Sequence, residues 1–381
     1  MRFLRWLKWL GVVALLLVAA AVARGWEAFG HHAGGERRAR MERSPQWKDG
    51  HFNNPQPLVN DAAGMLSGMF HASDHGSPAI PLPVEKIDPR RFDAPPGSGL
   101  RITWLGHASA LIELDGSRVL TDPMWSERPS PIPEMGPRRW YPPPIALRDL
   151  PALDAVVISH DHYDHLDYPT IAAMKEWNTT FIVPLGVGAH LEYWGIPKGR
   201  IVELDWWEHT KVRGLDITCT PARHASGRAV FDKDATLWAG YSLAGSKHRV
   251  FFSGDTGLFP AMKQIGARLG PFDVTMIETG QYHASWPDWH IGPEGAVQAH
   301  VLLRGRVMLP IHWALLRLAY HGWTEPIERV LAEATRRGVR VLTPKPGQSV
   351  EPDNARAQQR WWPGLPWDTA QQAPLVSTGV D

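Results

Sequence analysis

Residues 159–166 read SHDHYDHL and directly follow the apolar run Ala155-Val156-Val157-Ile158. A short β-branched run of this kind is a buried strand, and the polar cluster begins where the strand ends. Three histidines and two aspartates fall within six residues. Neutral imidazole nitrogens and carboxylate oxygens are the ligands that suit zinc and similar divalent metals. So many of them in one turn repel or compete unless a cation organises them. His160 and His162 alternate, as a strand end or open loop allows, whereas Asp164 and His165 are adjacent and point in different directions. That arrangement can serve two metals. The alternative, a solvated polar loop, fits poorly with the strand in front of it.

Working outward, the same pattern recurs. Strand-like residues 217–220 run into Pro221-Ala222-Arg223-His224, residues 250–253 run into Gly254-Asp255-Thr256-Gly257, and residues 307–311 run into His312. Each chemistry-bearing loop follows an apolar strand, so one sheet edge can gather ligands spread over about 150 residues. Upstream, residues 102–105, 110–114 and 118–121 alternate as strands around the turn Asp115-Gly116, and Asp122 follows the last of them. Residues 168–177 and 185–194 read as helices flanking a strand at 180–184, the β/α alternation of an α/β sandwich. The sequence contains no G-x-S-x-G and no G-x-x-x-x-G-K, so neither a serine hydrolase nor a phosphate-binding loop competes.

The H-x-H-x-D-H string at His160, His162, Asp164 and His165 resembles the signature of the metallo-β-lactamase superfamily. That resemblance implies an α/β fold, a four-layered αβ/βα sandwich with an N-terminal extension here, and a dinuclear metal centre at one edge. It implies that His160, His162 and His224 hold one metal, that Asp164, His165 and His312 hold the other, and that Asp255 bridges them. The metal expected is zinc, with manganese or iron accepted by the same ligands. An aspartate at the position of Asp122 orients a ligating histidine in the family, and His107 matches a histidine that supports the site from below.

Within the superfamily the chain resembles the N-acylphosphatidylethanolamine-hydrolysing phospholipase D group. The similarity spans about residues 52–347 and includes ITWLGHASALIEL, LTDPMWSERPSP, MGPRRWYPPP, ELDWWE, FFSGDTG and IHW. It implies a metal-dependent phosphodiesterase acting on phospholipid at a membrane surface, with Asp164, Asp255 and His290 in catalysis. Tyr282, Trp286 and Trp289 are expected to form an apolar wall for substrate beside His290. Arg138 and Arg139 are read either as headgroup contacts or as an ordinary basic pair. The family's paired acids after this histidine become His290-Ile291-Gly292-Pro293-Glu294-Gly295-Ala296 here, a departure that bears on substrate identity. A lactonase or other small-ester hydrolase of the same superfamily and a non-catalytic exported metal-binding protein stand as alternatives, and a homodimer stays open.

The rest of the chain bounds these readings. With 40 basic against 39 acidic residues and a net charge of +1 among 381 residues, there is no electrostatic footprint for nucleic acid. Nineteen tryptophans point to lipid-facing or ligand-stacking surfaces, since indole favours interfaces. Arg2, Arg5 and Lys8 precede an uncharged run of roughly fifteen residues ending Ala21-Val22-Ala23, so residues 1–24 read as a signal peptide or an uncleaved membrane anchor. Either places the protein outside the cytoplasm, anchored or periplasmic. The lone cysteine, Cys219, permits no internal disulfide and reads as a core residue. Residues 25–99, rich in Gly, Pro, His and Asn, read as a linker and an extended segment, with His31, His32, His51, His71 and His75 as scattered surface groups. Residues 100–352 form the hydrolase domain and 353–381 a tail.

Overall fold

The computed structural model describes residues 2–354 and 360–380. Residue 1, and residues 355–359 and 381 of the expected tail, lie outside the described residues. The chain opens with α1 (Arg2–Phe29), of which the 22-residue stretch Lys8–Phe29 is long and apolar enough to cross a membrane, a character shared with signal sequences. Next come α2 (Gly35–Met41), the hairpin β1 (Trp47–Lys48) and β2 (His51–Phe52), and α3 (Ala62–Phe70). The segment expected to be extended thus contains two helices. Both are short and depend on local caps or distant contacts. Asp61 caps α3 by accepting from the Gly64 N–H at 3.0 Å. Met41 at the end of α2 is buried in the main core, and Arg37 pairs with Glu203 at 2.6 Å.

The first sheet contains β3 (Leu100–Gly106), β4 (Ser109–Leu114), β5 (Ser117–Thr121), β6 (Ala155–Val157), β7 (Thr180–Pro184) and β8 (Ile201–Leu204). Between its parallel strands lie α4 (Tyr168–Ala173) and α5 (Gly188–Tyr193). The second sheet contains β9 (His209–Val212), β10 (Leu215–Thr220), β11 (Gly240–Ala244), β12 (Arg249–Phe252), β13 (Phe272–Glu278) and β14 (Gly305–Ile311), with α6 (Ala261–Leu269) and α7 (Gly292–Leu302). After α8 (Glu325–Arg337), β15 (Ser349–Val350) returns to the first sheet and pairs antiparallel with β3, Ser349 opposite Thr103. The spatial orders are β15-β3-β4-β5-β6-β7-β8 and β14-β13-β12-β11-β10-β9. In each sheet hairpin strands give way to a parallel group, β5 to β8 in the first and β12 to β14 in the second.

Period-two alternation sorts the first sheet's side chains onto two buried faces. Ile102, Trp104, Ala110, Ile112, Ala155 and Val157 enter the core shared with the second sheet. Leu105, Leu111, Leu120, Val156, Phe181 and Val183 pack instead with Ile171 of α4 and Leu191 of α5. This produces helix, sheet, sheet and helix layers, the expected four-layered sandwich. The helices are shorter than the sequence suggests. α4 stops at Ala173 because the N–H groups of Met174 and Trp177 bond three residues back, tightening the turn into β7. α5 starts only at Gly188 because Leu185 still pairs with Leu204 and Gly186 has φ +91°.

The sheets are joined at one edge. The Tyr241 hydroxyl donates to the Ile158 carbonyl at 2.9 Å and the Ala239 N–H to the Ser159 carbonyl at 2.9 Å. At this edge β3, β5, β6, β10, β12, β13 and β14 release the polar residues considered next.

Candidate metal centre

The loop after β6 is fixed from beneath by Asp122, which follows β5. Its carboxylate accepts from the Ser159 N–H at 2.7 Å and the Ser159 hydroxyl at 2.6 Å, and lies 2.6 Å from His165 Nδ1. That contact leaves His165 Nε2 aimed into the site. His162 ends the extended part of the loop; its carbonyl accepts from the His165 and Leu166 N–H groups at 3.0 and 2.8 Å. This single turn swings Asp164 and His165 away from His160 and His162, so one short stretch serves two clusters.

In the first cluster His160 Nε2 lies 2.8 Å from His162 Nδ1, and His224 Nε2 lies 3.3 Å from the same Nδ1. In the second, His165 Nε2, His312 Nε2 and Asp164 Oδ2 lie 3.3 to 3.4 Å from one another. Asp255 stands between them: its Oδ2 is 3.2 Å from both His165 Nε2 and His312 Nε2 and 3.8 Å from His224 Nε2. The close approach of the Asp255 loop to the β6 loop demands glycine at 254, where φ is +57° and a Cβ would sit 2.4 Å from that of Ser159. His107, also at positive φ, holds Asp164 Oδ2 at 2.8 Å through Nε2, while its carbonyl accepts from the His312 N–H at 3.0 Å.

The donor set fits metal ions. Two neutral imidazole lone pairs facing each other do not hydrogen-bond, yet a tetrahedral ion with bonds of about 2.05 Å holds its ligand atoms about 3.3 Å apart. Asp255 Oδ1 is buried without a hydrogen-bond partner, a donor that a cation would satisfy. Burial raises the pKa of Asp164 and of Asp255, but the imidazoles around them, His165 foremost, outweigh it and hold both well below the usual carboxylate range. Two ionised carboxylates sunk among lone-pair nitrogens attract cations.

Residues 117–313 match the beta-lactamase superfamily domain. The chain belongs to the beta-lactamase superfamily. It is 46% identical over 335 residues to an uncharacterized protein of Mycobacterium tuberculosis, covering 85% of this chain and 89% of that one. It is 40% identical over 244 residues to N-acyl-phosphatidylethanolamine-hydrolyzing phospholipase D 1 of Caenorhabditis elegans, covering 61% of this chain and 68% of that one. Among solved structures it is similar to Igni18, a metallo hydrolase from Ignicoccus hospitalis, with TM-score 0.51 and 24% identity over 66% of this chain and 97% of that one. With the superfamily match and the His/Asp cluster together, this chain is a metal-dependent hydrolase.

The superfamily fold brings His160, His162, Asp164, His165, His224, Asp255 and His312 together, with Asp122 and His107 touching them. His290 joins the same edge: its ring stacks on that of His312, and its Nδ1 lies 3.8 Å from Asp255 Oδ2. Its neighbour Trp289 fixes the other cluster, the Trp289 carbonyl lying 2.9 Å from His224 Nδ1. Trp286, Trp289 and His290 line a cleft of about 200 Å³ with Met65 and Leu318. Tyr282 does not join them. Its hydroxyl needs a buried partner and finds Glu325 at 2.7 Å, and its ring stacks on His321, which turns it toward α8. Arg139 is buried and donates to the carbonyls of Tyr141, Met124 and Ser126, while Arg138 is exposed and paired with Glu127.

Glu278 belongs to the site although it lies outside every histidine-rich stretch of the sequence. It ends β13 as the other site residues end their strands, and it is fully buried. Its Oε2 lies 2.7 Å from His290 Nδ1, and its Oε1 accepts from the Thr256 N–H at 2.6 Å. Burial raises the Glu278 carboxyl, and Glu278 in turn raises His290 against its own burial. Asp161, inside the opening motif, faces away from the clusters and accepts from Gly227 N–H and the Thr236 hydroxyl at 2.7 and 2.9 Å.

Proposed function

We propose that the protein is a dinuclear phosphodiesterase of phospholipase D type, acting on N-acylphosphatidylethanolamine-like phospholipids at a membrane surface. The observation that carries this reading is the mostly apolar cleft of Trp286, Trp289, Met65 and Leu318, with Asn60 and Gln281 also in its wall, which His290 lines beside Asp255. The similarity to the worm enzyme supports it. His160, His162 and His224 would hold one divalent ion, zinc by ligand type, Asp164, His165 and His312 a second, with Asp255 shared. Bound there, the ions would supply Lewis acidity and a water acidic enough to attack phosphorus at neutral pH.

The protein's own groups do the rest. Asp122 and His107 hold His165 and Asp164 in place. Glu278 occupies His290 Nδ1, so Nε2 is the nitrogen left to give a proton to the departing alkoxide as the P–O bond breaks. Trp286 and Trp289 offer indole faces to an acyl chain and exclude water from the reacting centre.

The experiment is to incubate the metal-loaded full chain with vesicles of N-acylphosphatidylethanolamine, with vesicles of other phospholipids, and with sugar-phosphate lactones, and to identify products by mass spectrometry. Release of N-acylethanolamine and phosphatidic acid is expected. Faster turnover of the lactones than of any lipid would replace this reading with a small-ester hydrolase. Stoichiometric metal without turnover would leave a metal-binding protein.

A further inference from the structure

We propose that the turn at residues 227–234 is a membrane-inserting wedge, with Val230 and Phe231 entering the bilayer where α1 leaves it. The proposal rests on α1 being a retained anchor, and it adds to the proposed function the route by which lipid reaches the cleft.

Val230 and Phe231 are 97% and 85% exposed, the most solvent-facing pair of large apolar side chains on the hydrolase domain. A turn that displays two such residues gains nothing from them in water. It is also built stiffly. The Arg228 and Ala229 N–H groups donate to Asp232 Oδ1 at 3.0 and 2.7 Å, and the Asp234 N–H donates to the Ser226 carbonyl at 3.0 Å. Asp232 is buried beneath the tip and Asp234 is half-buried at the turn's end, so the outward-facing residues are Val230, Phe231 and the cationic Lys233.

The same turn grips α1. Arg228 Nε donates to the Ala28 carbonyl at 2.8 Å, and Trp194 Nε1 donates to the Glu27 carbonyl at 2.7 Å. Arg228 thus satisfies a carbonyl at the helix end and opposes the negative end of its dipole, while Trp194 adds a second bond to a Glu27 carbonyl that also accepts from the Gly30 N–H at 3.0 Å. Upstream of its last turn α1 is tied to the 130–135 loop, with Arg24 pairing Glu134 at 2.5 Å and Met135 exposed. Residues 8–29 span about 33 Å as a helix, enough for a hydrocarbon core of about 30 Å. Trp6 and Trp9 near one end and Trp26 near the other are exposed, the placement of interfacial aromatic belts. With Trp26 at the interface, Ala28 and therefore Arg228 sit at headgroup level, and Val230 and Phe231 are two and three residues further on.

The wedge also adjoins the site. The Lys233 ammonium lies 5.8 Å from the centre of the Trp289 ring, and Trp289 lines the cleft and holds His224. A lipid lifted beside Phe231 therefore meets Lys233 and Trp289 before the metal clusters. The shared chemistry recognised is that of an interfacial amphiphile, an apolar tail under an anionic headgroup.

The test places an environment-sensitive nitrobenzoxadiazole label on Phe231→Cys in the full chain, reconstituted into phosphatidylcholine–phosphatidylglycerol vesicles. Cys219 is fully buried, so the label goes to position 231. A blue-shifted emission, quenched by spin-labelled lipid and shielded from iodide, is expected. A matched label on Lys211→Cys, exposed on β9, should stay aqueous. Equal aqueous emission from both labels on vesicle-bound protein would overturn the proposal, as would N-terminal sequencing that finds the mature chain starting at Arg24 or later. Replacing Val230 and Phe231 together by serine should slow turnover of vesicle-borne phospholipid about tenfold and leave a water-soluble phosphodiester unaffected. Loss on neither substrate, or equal loss on both, would count against the wedge. Label insertion without turnover of any phospholipid would sink the proposed function and leave the wedge standing.

Discussion

The Glu278 carboxylate lies 2.7 Å from Nδ1 of His290 and also accepts from the Thr256 N–H, one residue after Asp255. One buried acid thus positions both the proton-bearing histidine and the loop that carries the shared carboxylate. Glu278→Gln keeps an acceptor for Thr256 but no longer holds a charge behind the imidazole. The expected result is a 10–100-fold fall in kcat, with metal content and melting temperature little changed. Unaltered kcat, or loss of metal with loss of activity, would remove Glu278 from the catalytic machinery.

Among the described residues Asp255 is the carboxylate within reach of both histidine clusters. Elemental analysis of purified protein should find about two metal ions per chain, and a chelator should abolish hydrolysis. Chelation should also lower the thermal midpoint, because an ion bound only by the folded state stabilises it by mass action. Asp255→Asn should lower turnover far more than stability. Folded protein without stoichiometric metal would contradict this reading.

His300 provides a pH dependence away from the centre. It lies on α7 with Nδ1 2.7 Å from the Thr275 hydroxyl, and burial lowers its pKa to about 4. The folded state therefore holds it neutral, whereas the unfolded chain protonates it near 6.5. Between those values the unfolded state binds more protons, so stability falls as the pH drops below 6.5 and the full penalty is reached below about 4. The expected loss is about 2 kcal/mol at pH 5 relative to pH 8. Urea unfolding at several pH values measures it, and His300→Gln should remove that part of the slope. An identical slope in the variant would assign the pH dependence elsewhere.

The legible part of this protein was the part written as strand followed by ligand. Ala155-Val156-Val157 before His160, and Val307-Met308-Leu309 before His312, are buried on both faces of their sheets, so the position of the next polar residue is fixed by sheet topology. The same logic fits Val274 to Glu278, yet a single acid outside a histidine-rich stretch draws no attention from composition alone. Tyr282 was misplaced because a loop side chain's direction is set by whatever partner tertiary packing supplies, here Glu325 from α8. α2 and α3 were hidden for a related reason: helices of seven and nine residues are too short to be stable alone and exist by virtue of Met41, Arg37 and the Asp61 cap.

Arg223, beside His224, is almost wholly buried and pairs with Asp288 at 2.9 Å. It also donates to the carbonyls of Gln56, Leu258 and Thr378, so one guanidinium joins the N-terminal segment, the second sheet and the tail at the base of a ligand loop. Asp288→Ala would leave that charge unpaired and strand the Val59 N–H and Thr378 hydroxyl that Asp288 accepts from. A destabilisation of about 3–5 kcal/mol is expected, read as a lower urea midpoint with an unchanged slope. A shift below 1 kcal/mol would mean that water replaces the carboxylate at little cost.

The cleft of Met65, Trp286, Trp289 and Leu318 makes acyl-chain length the sharpest probe of substrate class. A chain that enters it leaves water one methylene at a time, each worth about 0.8 kcal/mol. Removing four carbons that lie within the cleft should therefore weaken productive binding by about 3 kcal/mol, on the order of a hundredfold in kcat/KM. Carbons beyond the cleft should contribute nothing, so the dependence should rise and then level. A series of N-acyl phospholipids assayed below their aggregation concentrations measures this, and Trp289→Ala should flatten its rising part. A polar pocket suited to lactones would show no dependence at all, and a flat series in the unmutated protein would decide for it.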